Sequence, residues 1–590
     1  MTQEPDLPEI EWVKNVSNID DDEISARLRL LPVPRQADLF LSLDWKDRLK
    51  IIRNSEAARE LVRSLPDEEV LLTIKGAGEQ DSLQLISLAT PDQLQFILDV
   101  ELWSRDSISG EKARLWMKYL LACGERKVTE LAKAADRELL VIMLSKLVSV
   151  IPNEEGVKIP KGLPSIMPDE YFTILSNIPE ETENIRLFLR ILREWDRDRF
   201  YRLLFEVHGS ADVEMEEKAF RWRNSRLEDK GLLDFDEAVE IYGYVGEQEA
   251  REVLGRSAEL RYAPETPRAV PPTYPVRLAE TKTFFYKVLK SIDDTSLQNR
   301  LRREIAFSAN RLLVADARSI GEIDSMRKAL RRLFSLVNVG LLHLTGGAMG
   351  KAAGTLAHAS VTEIFQIGFS RVADLRTAAS EIARKWWPEW REQGFVFLDF
   401  PDEEVMRGLM FRVPQYYMGA PGGGEDFRDF ETMDEVSRTR QVIDEIAVVA
   451  EACFDTLGIP RPHEAKLARE QIFSGEIEGI TLRALILTGF VNFALRGEFG
   501  LSAISRADAK HMFEKVLEKG AGGGRLVRKD VVDGFISWLS DVSQLDGIHW
   551  NTLRMFVENG IRELEEEIGN VPSWKDLDPR YVRTLVFSRR

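Results

Sequence analysis

The chain has 590 residues, a formal net charge of −18, and 44% hydrophobic and 30% charged residues. That length exceeds what one core can fill and points to three or four domains. The acidity argues against nucleic acid as a partner, because phosphate binding depends on Lys and Arg. Only Cys123 and Cys453 are present, which excludes a disulfide framework or a zinc ribbon and fits a reducing compartment.

The acidic start MTQEPDLPEIEW has no apolar run, so no secretory signal is expected. Residues 1–35 read as a polar lead-in in which Asp20-Asp21-Asp22-Glu23 opens a short helix. From residue 36 to 150 a grammar repeats. An apolar pair is followed by one more apolar residue, and Asp or Pro-Asp then opens a new run, as in Leu39-Phe40…Leu43-Asp44, Leu61-Val62…Leu65-Pro66-Asp67 and Leu85-Ile86…Pro91-Asp92. Thr90-Pro91-Asp92-Gln93 has the capping-box pattern with proline at the first helical position. Leu65-Pro66-Asp67 and Ile178-Pro179-Glu180 repeat the proline and put carboxylates where the helix dipole favours them. Helices this short are marginal alone and must lie on one another. Units of roughly 20 to 25 residues stacked this way predict a superhelical array.

On this grammar, residues 36–150 resemble the intracellular N-terminal helical repeats of MgtE-type magnesium transporters and, more distantly, flagellar motor switch repeats. The longer run LVRSLPDEEVLLTIKGAGEQDSLQLISLATPDQLQFILDVELWSRD, with RLEDKGLLDFDEAVEIY further on, resembles a family of large uncharacterised bacterial helical proteins. That second resemblance covers most of the chain and implies no activity.

Further helices are expected near Glu111–Cys123 and Lys127–Val150, then a proline- and glycine-spaced connector over 151–168. A second helical module follows over 168–260, and a linker with five prolines over 261–280. A central helical domain is read over 281–420 and a C-terminal helical domain over 425–590. Within the central domain, Leu333–Gly350 carries no formal charge but holds Asn338, His343 and Thr345. It reads as a buried helix ending in a turn, with no membrane insertion. Trp386, Trp387 and Trp390 share helical spacing and suggest a core or interface cluster. Phe395–Phe400 and Leu409–Val413 are the strand candidates, forming a small β-hairpin near 395–413. Pro421–Gly424 and Gly520–Gly524 read as loops. The fold class is predominantly all-α: superhelical short-helix repeats followed by larger helical domains.

Motif by motif, the chemistry is thin. Gly346-Gly347-Ala348-Met349-Gly350-Lys351 departs from a phosphate-binding loop, with Thr345 in place of the first glycine and Ala352 in place of Ser or Thr. His208, His343, His358, His463, His511 and His549 are scattered with no HExxH. Asp508-x-x-His511 and Asp546-x-x-His549 put a carboxylate and an imidazole on one helical face, but a di-iron bundle requires glutamates in that role. Glu565-Glu566-Glu567 is a solvated helix face. No catalytic, cofactor-binding or metal residue is assigned, and no cofactor. The leading expectation is a cytoplasmic, non-enzymatic helical scaffold that binds a protein partner in the groove between Leu39 and Trp103. The alternatives are a divalent-cation responsive regulator, implied by the transporter resemblance alone, and an enzyme housed in 281–590.

Overall fold

The computed structural model describes residues 16–104, 107–153, 162–168, 171–209, 213–228, 230–255, 282–318, 322–419, 426–462, 479–520 and 524–588. It is predominantly helical and divides into two compact units, 1–367 and 368–590. The expected linker 261–280 and loop 421–424 lie outside the described residues, as does His463.

The first unit begins with α1 (Asp21–Arg29), α2 (Val33–Ser42), α3 (Trp45–Asn54), α4 (Ala58–Ser64), α5 (Asp67–Ala77), α6 (Leu83–Leu88), α7 (Pro91–Glu101), α8 (Gly110–Ala122), α9 (Glu125–Ala134) and α10 (Arg137–Leu147). After a small sheet come α11 (Thr182–Trp195) and α12 (Arg197–Gly209). Each helix packs on the one two places further along. Odd helices line up from α1 to α11 and even ones from α2 to α12. One apolar core runs continuously through them from Val16 to Leu232.

The predicted start signals explain where these helices break. Thr90 Oγ1 accepts from the Gln93 N–H at 3.1 Å, the Gln93 side chain accepts from the Thr90 N–H at 2.8 Å, and Pro91 is the first helical residue. At the other two proline sites the helix starts later. Pro66 is the cap of α5, and Pro179 opens a 3-10 turn before α11.

Ending many helices inside one core leaves buried C-terminal carbonyls that need donors, and long polar side chains from neighbouring helices supply them. Gln36 Nε2 donates to Leu28 O and Leu31 O, both at 2.9 Å. Gln93 Nε2 donates to Val62 O and Leu65 O, both at 2.8 Å. Arg48 donates to Leu43 O at 2.9 Å and Leu41 O at 3.0 Å, and Lys127 to Ala89 O. All four side chains are buried, and end-capping accounts for each.

Two expectations are corrected here. The helix over Lys127–Val150 is instead α9, a break at Ala135-Asp136, α10, and then a strand. Trp103–Ser104 (β1) and Ser107–Ile108 (β2) make a short ladder; Val148–Pro152 (β3), Ser165–Pro168 (β4) and Phe172–Ser176 (β5) form an antiparallel sheet in the order β3-β5-β4. Val148-Ser149-Val150-Ile151 is β-branched at three of four positions, which favours a pleated edge once the helix has ended. The connector and the start of the second module are therefore partly sheet.

The first unit continues with α13 (Val213–Glu228), α14 (Phe235–Val239), α15 (Glu247–Gly255), α16 (Phe284–Lys290), α17 (Thr295–Ala315), α18 (Ile323–Thr345) and α19 (Met349–His358); α20 (Val361–Trp386) contains the unit boundary. The uncharged stretch at Leu333–Gly350 is the buried second half of α18, ending at Gly346 with φ +60°. No single described helix is long and apolar enough to cross a membrane, and α18 and α19 meet at 112°.

The second unit adds α21 (Trp390–Gln393), α22 (Asp402–Leu409), α23 (Met433–Ala450), a π-helical turn at Glu451–Thr456, α24 (Leu482–Arg496), α25 (Arg506–Lys515), α26 (Lys529–Ser543) and α27 (Gly547–Ile568). The hairpin expected near 395–413 is not formed. Phe397 has φ +77°, and Asp402-Glu403-Glu404 open α22, where the dipole stabilises three acids. Short ladders lie instead at Tyr416–Tyr417 (β6) with Phe427–Arg428 (β7), and at Leu517–Lys519 (β8) with Arg525–Val527 (β9). Trp387 is buried against Phe395 and Phe454, and Trp390 stacks on Phe395 at 5.7 Å. Trp386 and Trp387 are therefore core, and Trp390 is half-buried at its edge.

Candidate functional site

Large apolar side chains left in solvent are the first guide to a surface that does something. None lies between Leu39 and Trp103 among the described residues, whereas Tyr171 is 58% exposed and Phe205 61%. Tyr171 meets Tyr201 edge-on at 5.6 Å, and Phe205 meets the buried Phe172 at 4.8 Å. Phe172 and α12 hold these rings in place. Arg197 lies over Tyr201 at 5.8 Å and Arg199 over Trp195 at 5.2 Å. Arg197, Arg199 and Arg202 make no ion pair among the described residues. The result is an aromatic surface edged by guanidinium groups that no carboxylate neutralises among the described residues, the composition that dominates binding energy at interfaces. Strand addition at the adjoining edge is disfavoured. His208 Nδ1 donates to Val150 O at 3.0 Å, and Pro152 offers no N–H.

Charged groups inside the first unit form two nodes. Arg48 and Glu69 are each 1% exposed; Arg48 Nη1 donates to Glu69 Oε2 at 2.7 Å and Thr73 Oγ1 at 3.0 Å, with Trp45 stacked 4.6 Å from the guanidinium. Burial pushes the Glu69 carboxyl up to about 7, against the pull of Arg48. The second node joins α13 to the array. Arg226 grips Asp99 with both nitrogens, Nε to Oδ2 at 2.7 Å and Nη2 to Oδ1 at 2.8 Å, and also meets Asp136. Burial raises the Asp99 carboxyl and draws Arg223 down to about 10.

The second unit holds a half-buried carboxylate cluster at the start of α24. Phe397 O accepts from the Leu482 N–H at 2.7 Å, and Asp399 Oδ2 from the Arg483 N–H at 3.3 Å. Arg483 reaches Glu563 and lies over Phe556 at 4.9 Å. Asp402 has no hydrogen-bond partner among the described residues; burial first, then the Asp399 charge, pushes it up to about 6. A carboxyl without a partner, raised to about 6, can exchange a proton.

The motifs singled out in the sequence go elsewhere. Gly346 and Gly347 make a left-handed turn between α18 and α19. Asp508 closes a capping box with Ser505 and pairs with Arg496 at 2.8 Å, so it does not act with His511; Asp546 precedes α27 at its N-cap position, with no side-chain cap bond. His343 pairs with Glu247 at 3.0 Å. Among the described residues no three His, Cys, Asp or Glu side chains converge in a way that could hold a metal. Cys453 is fully buried, and Cys123 is pushed up to about 11 by burial.

Comparison with curated proteins and with solved structures gives no significant match. A family model does match, over residues 25–588, from within the first helix to beyond α27. The chain belongs to that family, a family of unknown function (DUF6178).

Proposed function

We propose that the protein is a binding scaffold whose first unit presents a partner-docking surface. The observation that carries this reading is the packing of odd helices on odd and even on even from α1 to α12. This is how helical repeats build a superhelical frame with an extended surface. The Tyr171, Tyr201 and Phe205 rings supply the apolar anchor. Arg197, Arg199 and Arg202, in no ion pair among the described residues, favour a partner segment that carries carboxylates beside its apolar side chains. This moves the docking surface from the groove at Leu39–Trp103 to the β5–α12 surface.

The test is capture from native extract with full-length protein, wild type against a Tyr171→Ser/Phe205→Ser variant. A stoichiometric partner lost from the variant, with circular dichroism and melting unchanged, supports the reading. Equal capture by both proteins removes this surface from it.

A further inference from the structure

The helix α13 differs from the rest of the array in how it is held. The described residues give it only Ala219 and Leu227 as buried apolar side chains, whereas α11 buries Ile185, Phe188, Leu189, Ile191 and Leu192. Met215 and Phe220 add partial contacts with the core, Phe220 5.5 Å from Trp103. Arg223 lies over Trp103 and donates to Asp99 O at 2.6 Å, and ion pairs add to these. Lys218 meets Glu138 at 3.4 Å, Arg226 meets Asp99 and Asp136, and Lys230, just beyond the helix, meets Asp67 at 2.8 Å and Glu68 at 3.2 Å. Glu216 answers with Lys146 at 3.4 Å. The carboxylates come from α5, α7, α10 and the cap of α10, so they form one acidic strip along the side of the array that faces α13. A basic helix face lies along it.

Resting on the scaffold reading, we propose that this strip (Asp67, Glu68, Asp99, Asp136 and Glu138) is a docking surface for a basic helix. α13 is its resident occupant, and a partner carrying a helix of the same charge pattern takes its place. Charge complementarity names the chemistry of that partner: Arg or Lys three to five residues apart, as at Lys218, Arg223, Arg226 and Lys230, with an aromatic residue among them for Trp103. The bidentate hold of Arg226 on Asp99 demands arginine at that position, since lysine cannot reproduce the fork. An exchangeable contact of this kind is weakened by salt far more than an apolar one.

The test uses the full-length protein and a fluorescent peptide of residues 213–231. Hydrogen exchange on the wild type at about 50 mM and about 500 mM salt is expected to show faster exchange in α13 at high salt, with α10 unchanged. Loosening the resident helix (Arg223→Ser/Arg226→Ser/Lys230→Ser) is expected to tighten peptide binding about tenfold or more, as freeing a site occupied nine-tenths of the time would do. Adding Asp99→Asn/Asp136→Asn is expected to cancel the gain. Protection of α13 as deep as that of α10 at both salts overturns the proposal. So does equal affinity for a peptide with its Arg and Lys replaced by Gln. No cellular partner enters this experiment, so its failure leaves the outcome of the capture experiment, and the scaffold reading, standing.

Discussion

Replacing Arg48 by methionine removes more than a charge. Arg48 Nη1 satisfies Glu69 Oε2 and Thr73 Oγ1, Nε and Nη2 cap Leu43 O and Leu41 O, and the guanidinium carries the Trp45 ring. Glu69 already has one buried oxygen without a partner; the substitution leaves the whole carboxylate so. Breaking a buried pair from one side costs about 3–5 kcal/mol, and losing a desolvated cation–π contact adds up to about 2. Loss of stability is therefore expected at roughly 4–6 kcal/mol, read from hydrogen exchange of the α3 and α5 amides against urea. Replacing both partners, Arg48→Met with Glu69→Leu, removes the stranded charge and is expected to recover most of the loss. If the single substitution costs less than about 1 kcal/mol, or the double is no better than the single, the node does not hold these helices as described.

Glu69 also predicts a pH dependence. Its folded value is raised from 4.5 to about 7, so its contribution to stability is fully present below 4.5 and is lost as pH rises through 7. The shift corresponds to about 3 kcal/mol between those limits, and Glu69→Gln should remove that part of the pH slope in α5 exchange while leaving the rest. Asp402, raised from 3.8 to about 6, has the same sign in the second unit. Asp402→Asn should raise the melting temperature of that unit at pH 8 and leave it unchanged at pH 3; an equal shift at both would assign the effect to packing.

What could be read in the sequence was local. The box at Thr90 and Gln93 and the turn at Gly346 are decided by residues within a few positions of one another, and each forms as the side-chain chemistry requires. The strand at Val148–Pro152 follows an apolar helix with no break in hydrophobicity, so periodicity could not separate the two. The hairpin near 395–413 failed because three acids after Pro401 are a stronger helix signal than a few aromatics are a strand signal. The docking elements were the least legible. Tyr171 and Phe205 become exposed only through a sheet that was not foreseen, and Arg226 meets an acid 127 positions away. A pairing over that distance leaves no trace in spacing.

The same chemical pair serves opposite ends when its exposure differs. Arg48 and Glu69 are sealed, each 1% exposed, between helices that also share an apolar core, so water and salt cannot compete for either partner. Along α13 the cations are 31% exposed at Arg226 and 56% at Lys218, while the carboxylates they cover, Asp99 and Glu138, are 1% and 17% exposed. Screening acts first on the most solvated pair. A departing α13 therefore loosens at Lys218 and lets go last at Arg226, whose two-pronged pair with Asp99 is the more sealed from solvent. The fork at Asp99 is matched only by another arginine. The acidic strip is thus selective for a competing guanidinium over the free cations of the solvent, and a helix bearing lysine at the Arg226 position should exchange more weakly than one bearing arginine.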